Sequence, residues 1–272
     1  MKKLLAITAL SAALFFGQTA VAEEKAAEEV KPSHVEMVLV LDESGSMSDL
    51  TRDTIGGFNS MIEKEKKLDV DAHVTTVLFN DQYKMLYNRR ELKDVRKMTD
   101  KDYTPGGMTA LLDAVGRTIH KMDMVSGIHR KDKGNKVLFV IITDGEENDS
   151  KEYTYADVKK LIKDRQENAG WEFIFLGANI DAAAAAENLG IDRDRAVKYK
   201  NTGSGVRANF KAVAELSDSL AKSGRVSDEW KSQIEEDTDE TIMAAPADTK
   251  EHAAPPAKPV KKHLVSKVRK AK

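Results

Sequence analysis

The 272-residue sequence contains no cysteine. A chain without cysteine cannot form disulfide bonds, use a thiolate nucleophile, or bind zinc or an iron–sulfur cluster through sulfur. Hydrophobic residues make up 41% of the chain and charged residues 32%, which is typical of a globular protein rather than a fibrous or wholly disordered one. The length is sufficient for one domain with a full core.

The sequence also lacks the motifs of several enzyme classes. It contains no glycine-rich phosphate-binding loop, and no Ser-His-Asp order stands out. The six histidines do not show the paired spacing of zinc ligands: they are His34, His73, His120, His129, His252 and His263.

The first 22 residues have the order of a secretory signal peptide. Lys2 and Lys3 precede the apolar run Leu4–Gly17, and the small residues of Ala20–Ala22 follow it. The run is shorter than the roughly 20 residues of a membrane-spanning helix, and the small residues favour cleavage over the alternative of an uncleaved membrane anchor. We therefore expect a cleaved signal peptide over residues 1–22 and a periplasmic or secreted protein.

A formal net charge of −2 conceals an uneven distribution along the chain. Residues 246–272 carry eight basic side chains against two acidic ones, a local charge of +6, together with four of the six prolines. Such a stretch cannot bury enough apolar surface to offset its chain entropy, so we predict disorder. Residues 228–240 contain seven acids, and residues 23–33 form a short charged leader. The predicted folded domain spans residues 34–226, followed by a disordered acidic linker and basic tail over residues 227–272.

Strand-like and helix-like segments alternate through this domain. Val35–Leu41 and Lys136–Ile142 are apolar and rich in β-branched residues, as buried strands are. Thr109–Val125 has apolar side chains at helical spacing, and Asn80–Asp81 separates two further strand-like segments as a hairpin turn would. We expect an α/β fold: a doubly wound, mostly parallel sheet flanked by helices, with one antiparallel edge strand.

Three polar clusters occur where such a sheet binds ligands, outside the carboxyl ends of its strands. They are Asp42–Ser46 after the first strand, Gly106–Thr109 before a helix, and Thr143–Gly145 after a later strand. Hydroxyl and carboxylate oxygens are the ligands that Mg²⁺ prefers, and Mn²⁺ accepts the same oxygens. The predicted metal ligands are Asp42, Ser44, Ser46, Thr109 and Asp144.

The same segments resemble a von Willebrand factor type A (VWA) domain. Val38–Met47 contains the D-x-S-x-S loop of that family's metal-ion-dependent adhesion site, Thr109–Ala114 supplies its threonine, and Ile141–Gly145 supplies its aspartate. Phe173–Asn179 is similar to bacterial members of the family. Many relatives have a threonine directly after the paired glycines, whereas Met108 intervenes here.

The resemblance implies a non-enzymatic binding module in which a bound Mg²⁺ accepts an Asp or Glu carboxylate from a partner protein. The basic tail could in addition hold the protein near anionic cell-surface polymers or lipid headgroups. Binding of nucleic acid through this tail is an alternative, but a signal peptide would place the protein in the wrong compartment.

A Mg²⁺-dependent phosphate-ester hydrolase is a second alternative, because some phosphatases use a strand-end aspartate as the nucleophile. Those enzymes need an acid two residues later, where this chain has Ser44. Glu146, Glu147 and Asp149 crowd the loop after Asp144; we interpret them as a solvated acidic rim rather than a second cation site.

Overall fold

The computed structural model describes residues 34–68, 70–125, 135–227, 229–232 and 234–235. The predicted signal peptide, the charged leader and the basic tail lie outside these residues.

A six-stranded sheet forms the centre of the described part of the chain, in the order β3-β2-β1-β4-β5-β6. All neighbouring strands are parallel except β3, which pairs with β2 in antiparallel register at one edge. The doubly wound, mostly parallel sheet with one antiparallel edge strand is therefore confirmed. The strands are β1 His34–Asp42, β2 Ala72–Phe79, β3 Tyr83–Glu91, β4 Asn135–Thr143, β5 Glu172–Gly177 and β6 Ala196–Lys198.

Five α-helices cover the two faces of the sheet in the described residues. They are α1 Thr51–Lys67, α2 Leu111–Asp123, α3 Tyr155–Asp164, α4 Ala182–Leu189 and α5 Gly203–Ser223. Side chains of β1 alternate between the faces, as the pleat of a strand requires. Leu39 joins the core under α1 and α5, whereas Val40 joins the core under α2, α3 and α4. Both faces are thus buried, which is why β1 is almost wholly apolar.

Local capping residues set several helix boundaries. Thr154 and Asp157 form a reciprocal capping box at the start of α3, and the Thr202 side chain accepts from Gly205 N–H at the start of α5. Gly224, with a φ of 66°, ends α5 in the left-handed conformation. The helix predicted from Thr109 begins at Leu111, because Thr109 belongs to the loop described below.

The packed chain continues beyond the predicted boundary at residue 226. Trp230 and Ile234 are only 3% and 1% exposed and belong to the core under α5. The Trp230 indole N–H also donates to the carbonyl of Asp194 at 3.3 Å. The many acids of this segment suggested solvation, but two apolar residues four positions apart share one side of a helical turn and bury it.

Candidate metal centre

The predicted site lies between β1 and β4, two adjacent parallel strands at the middle of the sheet. From β1 the chain continues to β2 on one side, and from β4 it continues to β5 on the other. The carboxyl ends of β1 and β4 therefore flank the topological switch point, where open α/β sheets form their ligand sites. Asp42 is the last residue of β1, and Asp144 follows the last residue of β4.

Asp42 is 1% exposed, and hydrogen bonds hold both of its carboxylate oxygens. Oδ1 accepts the Ser44 backbone N–H at 2.7 Å, and Oδ2 accepts the Thr143 hydroxyl at 2.6 Å. The Tyr103 hydroxyl donates to the Asp42 carbonyl at 2.6 Å. The carboxylate is thus fixed in orientation before any ligand arrives.

Ser44, Ser46 and Asp144 form a connected set of oxygens beside Asp42. The two serine hydroxyls are 3.0 Å apart, and the Ser46 hydroxyl donates to Asp144 Oδ1 at 2.5 Å. Ser44 and Asp144 are buried, whereas Ser46 is exposed, so the cluster opens to solvent on the Ser46 side. Asp144 Oδ2 is buried and has no hydrogen-bond partner among the described residues.

The loop that carries Thr109 docks onto the Asp42 loop through its backbone. Gly106 N–H donates to the Glu43 carbonyl at 2.9 Å, and Gly45 N–H donates to the Gly107 carbonyl at 3.2 Å. Gly107 has a φ of 76°, a left-handed conformation that favours glycine, and a Cβ there would also displace the Asp81 carboxylate. This docking brings the predicted cluster Gly106–Thr109 to the same end of the sheet as the other two clusters.

Thr109 itself is buried, and its N–H donates to Asn148 Oδ1 at 2.8 Å. Among the described residues, no hydrogen bond joins the Thr109 side chain to the other four predicted ligands. Those four are linked to one another by hydrogen bonds from Asp42 through the two serines to Asp144. Two residues outside the predicted ligand set position ligands: Asn148 holds Thr109, and Thr143, which was predicted only as part of a polar cluster, holds Asp42. Adjacency to Asp144 was the available signal for Thr143, and none pointed to Asn148.

The site concentrates uncompensated negative charge. Burial raises the pKa of the Asp42 carboxyl, the hydrogen bonds from Thr143 and Ser44 oppose that shift, and the charge of Asp144 adds to it. No salt bridge between described residues includes Asp42 or Asp144, and Lys84 instead pairs with Glu43, with 3.5 Å between Nζ and Oε1. Because buried unpaired charge is costly, this donor set fits a hard dication.

The loop after Asp144 corrects one interpretation. Glu147 is not a solvated rim residue: Oε1 accepts Asp149 N–H at 2.9 Å and Ser150 N–H at 2.7 Å, and Oε2 accepts Leu112 N–H at 3.0 Å. The Asp113 carboxylate similarly accepts backbone N–H groups of residues 151–153. These two carboxylates bind the loop to the start of α2.

A family model agrees with the fold. The model of the vWA domain found in the TerF C terminus matches residues 34–195, more than half of the chain. The chain belongs to the vWA-TerF-like family. The expected VWA domain is thereby confirmed. No curated protein matches the chain.

Solved structures share the VWA fold at low sequence identity. A mutant of the PilB minor pilin from Streptococcus sanguinis is 13% identical with a TM-score of 0.51, and the match covers 72% of this chain and 64% of that one. The pilus adhesin SpaC from Lactobacillus rhamnosus GG, in its open conformation, is 14% identical with a TM-score of 0.55, over 71% of this chain and 31% of SpaC.

The vWF domain of the type V pili tip protein Mfa5 from Porphyromonas gingivalis is 12% identical with a TM-score of 0.50, over 72% of this chain and 99% of that domain. The matches to PilB and SpaC cover less than two thirds of those two chains. At these identities the likeness concerns the fold. In the described part of this VWA domain, no helix combines the length and apolar character needed to cross a membrane.

Proposed function

We propose that this VWA domain is a Mg²⁺-dependent protein-binding module. Asp42, Ser44, Ser46, Thr109 and Asp144 would hold the ion, with Mn²⁺ as an alternative occupant. The observation that carries the proposal is the buried Asp144 Oδ2, which has no hydrogen-bond partner among the residues that the structure describes and lies beside a second buried carboxylate, Asp42. A dication there offsets the charge and supplies a Lewis-acidic position for one further anionic oxygen.

The partner in this proposal is a protein that offers an Asp or Glu carboxylate. The exposed Ser46 hydroxyl marks the solvent-facing side of the cluster, where such a carboxylate would enter. Matches to a minor pilin, a pilus adhesin and a pilus tip protein support an interaction role through their shared fold. We propose no catalytic role. A phosphatase with Asp42 as its nucleophile would need an acid two residues later, and that position carries Ser44, which is hydrogen-bonded to Ser46.

Calorimetric titration with Mg²⁺ and pull-down from cell-envelope extracts, with Mg²⁺ or with EDTA, test this proposal. Asp144→Asn removes one charge at constant size and should abolish both Mg²⁺ binding and Mg²⁺-dependent capture. Ser44→Ala should weaken binding less, because water replaces a neutral hydroxyl more easily than a charge. The matched control is Asp149→Asn, since Asp149 is in the same loop but faces Lys151. Unchanged Mg²⁺ affinity in Asp144→Asn would refute the site.

We also propose that the protein is periplasmic or secreted after cleavage behind Ala22, and that its basic tail binds anionic polymers or lipid headgroups. A mature protein that begins at Glu23 by mass spectrometry would support export. A retained Met1 would favour the nucleic-acid alternative. Deletion of residues 246–272 should remove any salt-sensitive binding to anionic vesicles.

A further inference from the structure

A second group of potential ligands lies at the opposite end of the sheet from Asp42. His34 is the first residue of β1, and Glu36 follows two positions later on the same face of the strand. His73, on the neighbouring strand β2, is the register partner of Glu36. Strand pleat and register together therefore place these three side chains side by side on one face of the sheet.

The ligand atoms form a small triangle. His34 Nε2 and His73 Nδ1 are 2.9 Å apart, and each is 3.3 Å from Glu36 Oε1. A zinc ion with bonds of about 2.0 to 2.1 Å separates tetrahedral ligands by about 3.3 Å. The triangle thus has nearly the dimensions of one face of such a tetrahedron. Glu36 is buried beneath it, while both imidazoles are partly exposed, so a dissolved ion can reach the group.

Asp71 supplies the outer contact that zinc-binding histidines usually have. Its Oδ1 is 3.0 Å from His34 Nδ1, the ring nitrogen that faces away from Glu36. An Nδ1–H donated to Asp71 leaves the Nε2 lone pair directed at the triangle. Carboxylates that orient ligating imidazoles in this way fix the tautomer and raise the basicity of the ligand nitrogen.

The guanidinium of Arg89 contacts this group of ligands and supplies a positive charge there. Its Nε is 3.0 Å from Glu36 Oε2, and its Nη2 contacts Glu36 Oε1 and lies 3.3 Å from His73 Nδ1. Arg89 reaches this position from a bulge in β3, where its φ is 44° and its N–H donates to Thr75 Oγ1. Its side chain is one-third exposed, so solvent adjoins the guanidinium that an incoming ion would displace.

We propose that His34, Glu36 and His73 form a second metal site, which takes a borderline transition-metal dication such as Zn²⁺ or Cu²⁺ in exchange for the Arg89 guanidinium. Two imidazoles and one carboxylate are a zinc-type donor set, whereas Mg²⁺ prefers oxygen ligands alone. This site shares no residue with the Asp42 centre and is independent of the function proposed for that centre. The two histidines are 39 positions apart, so only strand register reveals them as a pair.

The test is calorimetric titration of the 272-residue chain with Zn²⁺ in excess Mg²⁺, combined with Co²⁺ absorption as a report of tetrahedral coordination. We expect one Zn²⁺ equivalent to bind with a tetrahedral Co²⁺ spectrum. His73→Gln should weaken that binding at least about tenfold and abolish the spectrum. The matched control is His120→Gln, on the exposed side of α2, which should leave both unchanged.

Arg89→Gln provides a test with the opposite sign. Because it removes the competing cation while the three ligands remain, Zn²⁺ should bind more tightly than to the wild-type chain. Circular dichroism verifies that each variant is folded. Equal Zn²⁺ affinity in wild type and folded His73→Gln, or weaker binding to folded Arg89→Gln, would overturn the proposal.

Discussion

The Thr143 hydroxyl donates a 2.6 Å hydrogen bond to Oδ2 of Asp42, although the two residues are 101 positions apart. The bond joins the last residues of β1 and β4 at the point where the candidate metal centre begins. A residue outside the predicted ligand set therefore determines how one predicted ligand is oriented.

Replacement of this hydroxyl should destabilise the metal-free protein. Thr143→Val keeps the side-chain shape but leaves Asp42 Oδ2 buried without its donor, which costs about 1 to 3 kcal/mol of unfolding free energy. Urea denaturation in EDTA measures this loss. Thr143→Ser, which retains the hydroxyl, is the control and should lose less. Equal stability of Thr143→Val and wild type would show that the bond is energetically unimportant.

Glu147 should contribute to the stability of the fold, although it is an acidic residue in a loop. Glu147→Ala removes the acceptor of three backbone N–H groups and should lower the unfolding free energy by about 1 to 3 kcal/mol. Glu146→Ala is the matched control, because Glu146 is exposed in the same loop. Thermal unfolding of both variants decides the question, and similar midpoints for the two would contradict a structural role for Glu147.

Buried Glu65 of α1 should make stability depend on pH. Burial raises its pKa to about 7; the Ser217 hydroxyl, 2.8 Å from Oε2, opposes the shift, and Asp218 adds to it. Because the folded-state pKa exceeds the unfolded value, the folded protein favours neutral Glu65. The contribution of neutral Glu65 to the unfolding free energy is therefore fully present below about pH 4.5. It is lost as the pH rises from there through 7, which lowers the unfolding free energy by about 3 kcal/mol.

Glu65→Gln isolates this effect, since the amide stays neutral at every pH. The variant should be little different from wild type at pH 4.5 and more stable at pH 8. Urea denaturation at several pH values measures the difference, in which the other titrating groups largely cancel. A difference that is constant with pH would mean that folding does not raise the pKa of Glu65.

Trp230 should be part of the folded unit. Trp230→Ala empties a buried site and loses a hydrogen bond, so the unfolding free energy should fall by about 3 to 5 kcal/mol. Likewise, a chain that ends after residue 226 should unfold at lower temperature than one that ends after residue 235. Equal midpoints for the two truncations would place the domain boundary at residue 226 after all.

Local pattern predicted much of the fold. The β-branched run of β1, the amphipathic spacing of α2 and the Asn80–Asp81 turn each depend on neighbours a few positions away. Those neighbours determine which side chains share a face, so strand, helix and hairpin follow from the order of residues alone. The positions of Asp42 and Asp144 behind two buried strands were predictable for the same reason.

Long-range partnerships were decided only by the tertiary structure. Glu147 on the start of α2, Asn148 on Thr109, and His34 beside His73 each join segments that are distant in sequence. No local pattern encodes them, because they depend on which strands lie side by side and in what register. The order of residues determined the strands and helices, and it placed hydroxyl and carboxylate oxygens suited to a metal ion at their ends. The packing of the strands and helices determined which side chains meet.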